Sequence, residues 1–170
     1  MPLMLRYTGP LPTGNAESSK AIKNRIRRYL HPQLLNFAKG DYHFNYLATP
    51  GNQPPLAGVR FAPLAIEGVS AEVRIEILRR EPPGQIITNG GDLDGRLKTL
   101  FDGLRLPKDA GETHGFTPEW GDYCICLLQD DAQIRKVIID TREWLEPAAD
   151  ASKKTDVEIR MDVDFFRGTI

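Results

Sequence analysis

From Val157 to Phe165 apolar and charged residues alternate without a break. Val157, Ile159, Met161, Val163 and Phe165 fall on one side, and Glu158, Arg160, Asp162 and Asp164 on the other. A period of two sends successive side chains to opposite faces of an extended chain, so this stretch reads as a strand with one buried and one solvated face. Such a strand needs partner strands and a layer to cover its apolar side. Val73, Ile75 and Ile77 alternate with Arg74 and Glu76 in the same way, within a strand expected over Val69–Leu78. Val59–Ile66 reads as another, joined to it around Gly68, and Leu3–Tyr7, Tyr123–Leu128 and Ile134–Asp140 add three more.

The covering layer comes from helices. Leu93, Leu97, Leu100, Phe101 and Leu104 recur at the spacing of one buried helix face, after the loop Asn89-Gly90-Gly91. Ile22, Ile26, Tyr29 and Leu30 make a second stripe over Lys20–Leu30, with capping residues in Asn15–Ser19. His31-Pro32 is expected to interrupt that helix, leaving a short second segment over Leu34–Phe37. Tyr42, His43, Phe44 and Tyr46 form an aromatic cluster that can pack as core or stack on unpaired bases. Arg105–Trp120 and Trp144–Lys154 read as irregular connections. With 170 residues and no internal repeat, the chain is expected to be one α+β domain, a mixed sheet with helices packed against it.

No apolar run approaches the ~18 residues of a membrane helix, and the N-terminus lacks the pattern of a signal peptide. A cytoplasmic location is therefore expected. Cys124 and Cys126 are two residues apart in an apolar strand, without C-x-x-C spacing, and read as small core residues. The formal net charge of −1 conceals a division. Residues 1–40 hold seven basic residues against Glu17 alone, a formal +6, and the other 130 residues carry −7. A basic arm on an acidic body points to an anionic partner. Lys20, Lys23, Arg25, Arg27 and Arg28 are the expected phosphate contacts, each releasing counterions from nucleic acid; a solvated surface helix is the plainer alternative.

Gly91–Leu104, GDLDGRLKTLFDGL, concentrates the chemistry. Asp92 and Asp94 stand at the mouth of the expected helix, and Lys98 lies one turn beyond Asp94 on the same side. Asp130 and Asp131 follow the apolar run Ile125–Leu128. If the two acidic spots meet, their carboxylates make a site for a hard divalent cation beside one lysine. The same residues also admit a structural reading. Asp92 or Asp94 can cap a helix, Lys98 can pair with Asp94 or Asp102, and Asp130-Asp131 can form a turn. An EF-hand is excluded, since Gly95 and Gly103 fall at positions four and twelve counted from Asp92. His31, His43 and His114 lack zinc-ligand spacing, and there is no P-loop or G-x-G-x-x-G.

GDLDGRLKTLFDGL followed by LLQDDAQI resembles the RusA family of Holliday junction resolvases. Asp92, Asp94, Lys98, Asp102 and Leu104 match a D-L-D-N-x-x-K-type helix, and Asp130-Asp131-Ala132-Gln133 matches the acidic segment after it. Gly95 replaces the usual Asn, and 108–122 reads as an insertion between the blocks. The resemblance implies a RusA-like fold and a homodimer that cleaves branched DNA in recombination and repair. It further implies Mg2+, with Mn2+ as a substitute, held by Asp92, Asp94 and Asp131. Asp130 would be an auxiliary acid and Lys98 the cationic catalytic residue. A binding protein of the same fold, without catalysis, is the competing expectation.

Overall fold

The computed structural model describes residues 3–12, 16–49, 51, 54–80, 93–113, 116, 123–150 and 156–167. The alternating segments build one four-stranded sheet. Its strands are β1 (Leu3–Pro10), β3 (Val69–Arg79), β5 (Ile134–Glu143) and β6 (Asp156–Arg167), in the order β1-β6-β3-β5. β6 pairs antiparallel with both β1 and β3, whereas β3 and β5 are parallel. The register sets Leu5, Met161, Ile75 and Ile139 in one row across all four strands. Of these, Leu5, Met161 and Ile75 have no exposed surface. On the opposite face Arg6 and Arg160 both pair with Glu158, and Arg160 and Arg142 both pair with Glu76. The Glu76 pairs are solvent-exposed and contribute on the order of 0–1 kcal/mol each, whereas the Glu158 carboxylate is buried beneath its two arginines.

A parallel β3–β5 pair cannot be closed by a tight turn and needs a long crossover. The chain supplies one through α2 (Leu93–Leu104) and β4 (Tyr123–Leu128), which pairs in parallel with β2 (Arg60–Ala65) as a second, two-stranded sheet. Every residue of β4 is buried, as its unbroken apolar run requires. The expected strands are thus present, with β1, β3 and β5 longer than their apolar runs.

The interruption expected at His31-Pro32 is overturned. α1 runs unbroken from Ala16 to Gly40 with Pro32 inside it. The local penalty of a proline is a few kcal/mol. Ile26, Leu30, Leu34 and Ala38, one per turn on both sides of Pro32, are all buried in the main core. Burying Ile26, Leu30 and Leu34 contributes roughly 1.5–3 kcal/mol each, which outweighs the local cost. His31 is also turned inward, its Nδ1 accepting the Ile125 N–H of β4 at 2.9 Å. Tyr42–Phe44 form a turn, followed by a short 3-10 helix at Asn45–Ala48. Among the described residues no helix is long and apolar enough to cross a membrane.

α1 and α2 approach closely at Gly103. A Cβ built there would lie 2.9 Å from Cβ and Cγ2 of Ile26, itself fully buried. Gly→Ala inside a helix ordinarily gains about 1 kcal/mol, but overpacking a core costs typically about 1–3 kcal/mol. Gly103→Ala is therefore expected to lower stability by about 1 kcal/mol in urea unfolding. A raised midpoint would mean that Ile26 yields and the helices are not held at this spacing.

Candidate functional site

The position of α2 is set by charge as well as by apolar contact. Arg27, whose side chain has no exposed surface, points from α1 at the C-terminal end of α2. Its Nη2 donates to the Asp102 carbonyl at 2.7 Å and its Nε to the Arg105 carbonyl at 3.2 Å. Those carbonyls are among the groups that a helix end leaves without intrahelical partners. Arg105 donates Nε and Nη2 to Asp102 Oδ1 at 3.0 and 2.8 Å, and Nη2 also reaches Glu112 Oε1 at 3.0 Å. Lys23 Nζ lies 2.6 Å from Asp102 Oδ2. Three cations thus share two carboxylates and the negative end of a helix dipole.

This arrangement corrects two expectations about α1. Arg27 is not available to a phosphate, and Lys23 is largely covered and paired with Asp102. Arg28 is half-buried and stacks on the Phe116 ring at 5.5 Å. Lys20 and Arg25 remain exposed. Glu112, inside the expected insertion 108–122, is what sequence reasoning missed. It joins the network, and Phe116 packs on Phe61 with ring centres 5.7 Å apart. Neither contact has a local sequence signal.

The acidic residues sit on two elements. Asp94 lies in the first turn of α2, exposed, with exposed Lys98 one turn further on. Asp92 lies outside the described residues. Asp102 is turned inward to Lys23 and Arg105. Asp130 is the N-cap of a 3-10 helix, Asp131–Gln133, which begins directly after the end of β4 and packs on α2. Its Oδ1 accepts the Ala132 N–H at 2.9 Å. That bond, and then the neighbouring Asp131 carboxyl within hydrogen-bonding reach, hold the Asp130 carboxyl below the usual range, helped by the fields of Lys108 and Arg105. Asp130 thus senses the cations that follow α2, while Asp94 stands in the first turn of that helix.

Gln133 fixes this acidic turn. Its Oε1 accepts the N–H groups of Gln129 and Asp130 at 2.8 and 3.0 Å. Its Nε2 reaches the carbonyls of Ala65, Ile66 and Val69 at 3.2, 2.8 and 3.0 Å. One amide therefore joins the end of β4 to the β2–β3 turn. Half-buried Asp130 and exposed Asp131 hold two carboxyls side by side, the oxygen donors that a hard cation takes. Among the described residues, no three His, Cys, Asp or Glu side chains come together as a metal-binding group. No protein-family model and no curated protein matches the chain.

The buried groups give the fold a defined response to acid. Burial raises the Asp102 and Glu112 carboxyls, but Lys23 and Arg105 on the first, and Arg105 chiefly on the second, outweigh it and hold both below the ordinary range. Burial pushes the His31 imidazole down. All three folded values are depressed, so their stability is present above the unfolded values and lost as pH falls. The His31 contribution begins to fall below about pH 6.5, and the carboxylate contribution below about pH 4. The urea midpoint is therefore expected to drop between pH 7.5 and 5, and His31→Gln, which keeps an acceptor for Ile125 N–H, should remove that drop. An unchanged slope in His31→Gln would place its origin elsewhere.

Proposed function

We propose that the protein is a magnesium-dependent, structure-selective DNA endonuclease, similar to the RusA resolvases, acting on branched DNA as a homodimer. One observation carries the reading: exposed Asp131 stands beside half-buried Asp130 in a turn locked by Gln133 and packed on the helix that presents Asp94 and Lys98 to solvent. Asp92, Asp94 and Asp131 would hold the cation, and Asp130 would orient Asp131 and add charge. Magnesium bound there supplies Lewis acidity, an activated water and neutralisation of phosphate oxygens. Lys98, exposed and one turn beyond Asp94, would donate to the scissile phosphate as charge develops on it. Resolving a junction needs two incisions of like polarity, hence two copies about a two-fold axis.

A second reading is favoured by a specific observation. The described carboxylates do not complete a three-residue metal group, and Asp102 of the motif is committed to the core. A non-catalytic protein of the same fold, binding nucleic acid or protein, would keep the acidic turn as structure alone.

Asp94→Asn separates the two. The nuclease reading expects cleavage of a four-way junction in magnesium or manganese to fall by more than about a hundredfold, the upper end for losing an outer-shell partner. The circular dichroism melt should be unchanged, because Asp94 is exposed. Wild-type activity in Asp94→Asn sinks the mechanism. A second measurement concerns DNA affinity. Replacing Lys20 and Arg25 with Ala should flatten the salt dependence of binding by about one unit of slope per lost phosphate contact. Arg27→Ala should instead cost stability, about 3 kcal/mol, by leaving buried carboxylate and carbonyl groups without their partner. A flattened slope in Arg27→Ala at full stability would reverse that assignment.

A further inference from the structure

The four-stranded sheet has two edges, and the protein closes one of them. Along β1, Gln33 of α1 takes the place of a further strand. Its Oε1 accepts the Arg6 N–H at 2.9 Å and its Nε2 donates to the Arg6 carbonyl at 2.7 Å. β5, the other edge, has a ladder with β3 alone among the described residues. It is ten residues long, with Val137-Ile138-Ile139 at its centre and exposed Lys136 and Asp140 on either side. A long strand edge with a β-branched apolar middle is a template for another strand. Its charges are also incompletely matched. Asp140 stands opposite Glu76 in the ladder and has no ion pair or hydrogen bond among the described residues. Lys136 reaches Glu72 only at 3.8 Å.

We propose that β5 pairs antiparallel with β5 of a second copy of this chain, about a two-fold axis at Ile138, joining the two sheets into one. Along an edge strand the backbone groups point alternately toward the neighbouring strand and away from it. Residues that meet across the axis must therefore share the same direction, and the axis falls on a residue rather than between two. The apolar middle offers Val137, Ile138 and Ile139 as centres. An axis at Ile139 sets Lys136 against Arg142, a like-charge pair. One at Val137 sets Lys136 against Ile138 and Asp140 against Ile134, charge against apolar side chain. An axis at Ile138 sets Lys136 against Asp140 twice on one face, and Val137 against Ile139 on the other. Asp140 then gains the cation that its own chain does not supply. Main-chain hydrogen bonds give such a ladder its affinity, and the side chains fix its register. The pairing does not rest on the nuclease reading, but it gives the homodimer of that reading an interface. The two copies of Ile134 would lie roughly 27 Å apart at the rise of an antiparallel strand, with one acidic turn beyond each.

Sedimentation equilibrium of the full chain at tens of micromolar, in low salt and without DNA, tests this. The wild type is expected at twice the mass of one chain. Lys136→Asp and Asp140→Lys each set like charges against each other twice. Either should weaken dimerisation by roughly tenfold, the scale of two cross-strand charge pairs. The exchange Lys136→Asp with Asp140→Lys restores opposite charges in the same register and should restore wild-type affinity. Both residues are exposed, so the fold tolerates the exchange. A monomeric wild type overturns the proposal. So does a dimer that neither single reversal weakens, or an exchange variant as weak as the single ones. A dimer that follows the charge exchange, in a protein that leaves branched DNA intact, upholds the pairing and removes the nuclease reading. Paired incision by a dimer indifferent to the exchange does the reverse.

Discussion

The buried guanidinium of Arg27 is the constraint on which the rest of the structure depends. Bringing a charge out of water costs several kcal/mol unless it is matched, so its partners must arrive with it. Those partners are the Asp102 and Arg105 carbonyls, Asn24 and Glu112, drawn from α1, α2 and the segment beyond α2. Arg27 thereby caps one helix with the side chain of another. The same contacts tie residues 105–113 to the body, and Leu106 N–H extends the edge of β4 by donating to the Leu128 carbonyl at 3.0 Å. Gly103 allows the helices to come close enough for these bonds to form. Apolar packing sets the distance between α1 and α2, and the ion network fixes how they are aligned.

Much of the fold was legible because its signals are local. Alternation identified β3 and β6, and the spacing of Leu93, Leu97, Leu100 and Leu104 identified α2 and its inner face. Pro32 misled for a related reason. A proline's penalty is written in the neighbouring residues, whereas the burial that overcomes it is written at Ile26, Leu30, Leu34 and Ala38, several turns apart. The parallel partnership of β3 with β5 is not local at all, since it joins residues about sixty positions apart through a crossover. Neither strand sequence names its neighbour.

The candidate site divides in the same way. That Asp130-Asp131 begins a turn could be read from the residues, and an N-cap formed there. The reach of Gln133 into Ala65, Ile66 and Val69 could not, because its acceptors are backbone groups with no sequence signature. Asp102 is the sharper case. It lies in the same run of acidic residues as Asp92 and Asp94, and only its partners, Lys23 from the other helix and Arg105 three residues on, distinguish a structural carboxylate from an exposed one. Lys23 and Arg27 were likewise indistinguishable in sequence from Lys20 on the same helix, although the fold buries one of them and half-covers another.

That burial changes what the charge division of the chain means. The formal +6 of residues 1–40 suggested a basic arm, but α1 is a central element rather than an appendage. Arg27 and Lys23 neutralise Glu112 and Asp102, and Arg6 is joined to Glu158. Arg28 lies over Phe116. Much of the positive charge is therefore spent inside the protein on the acidic body, and Lys20, Arg25 and Lys39 are what the helix still offers to solvent as exposed cations. A phosphate-bearing partner would meet few contacts here, and a shallow salt dependence follows from a small number of released counterions. Discrimination between partners must then come from features other than bulk charge.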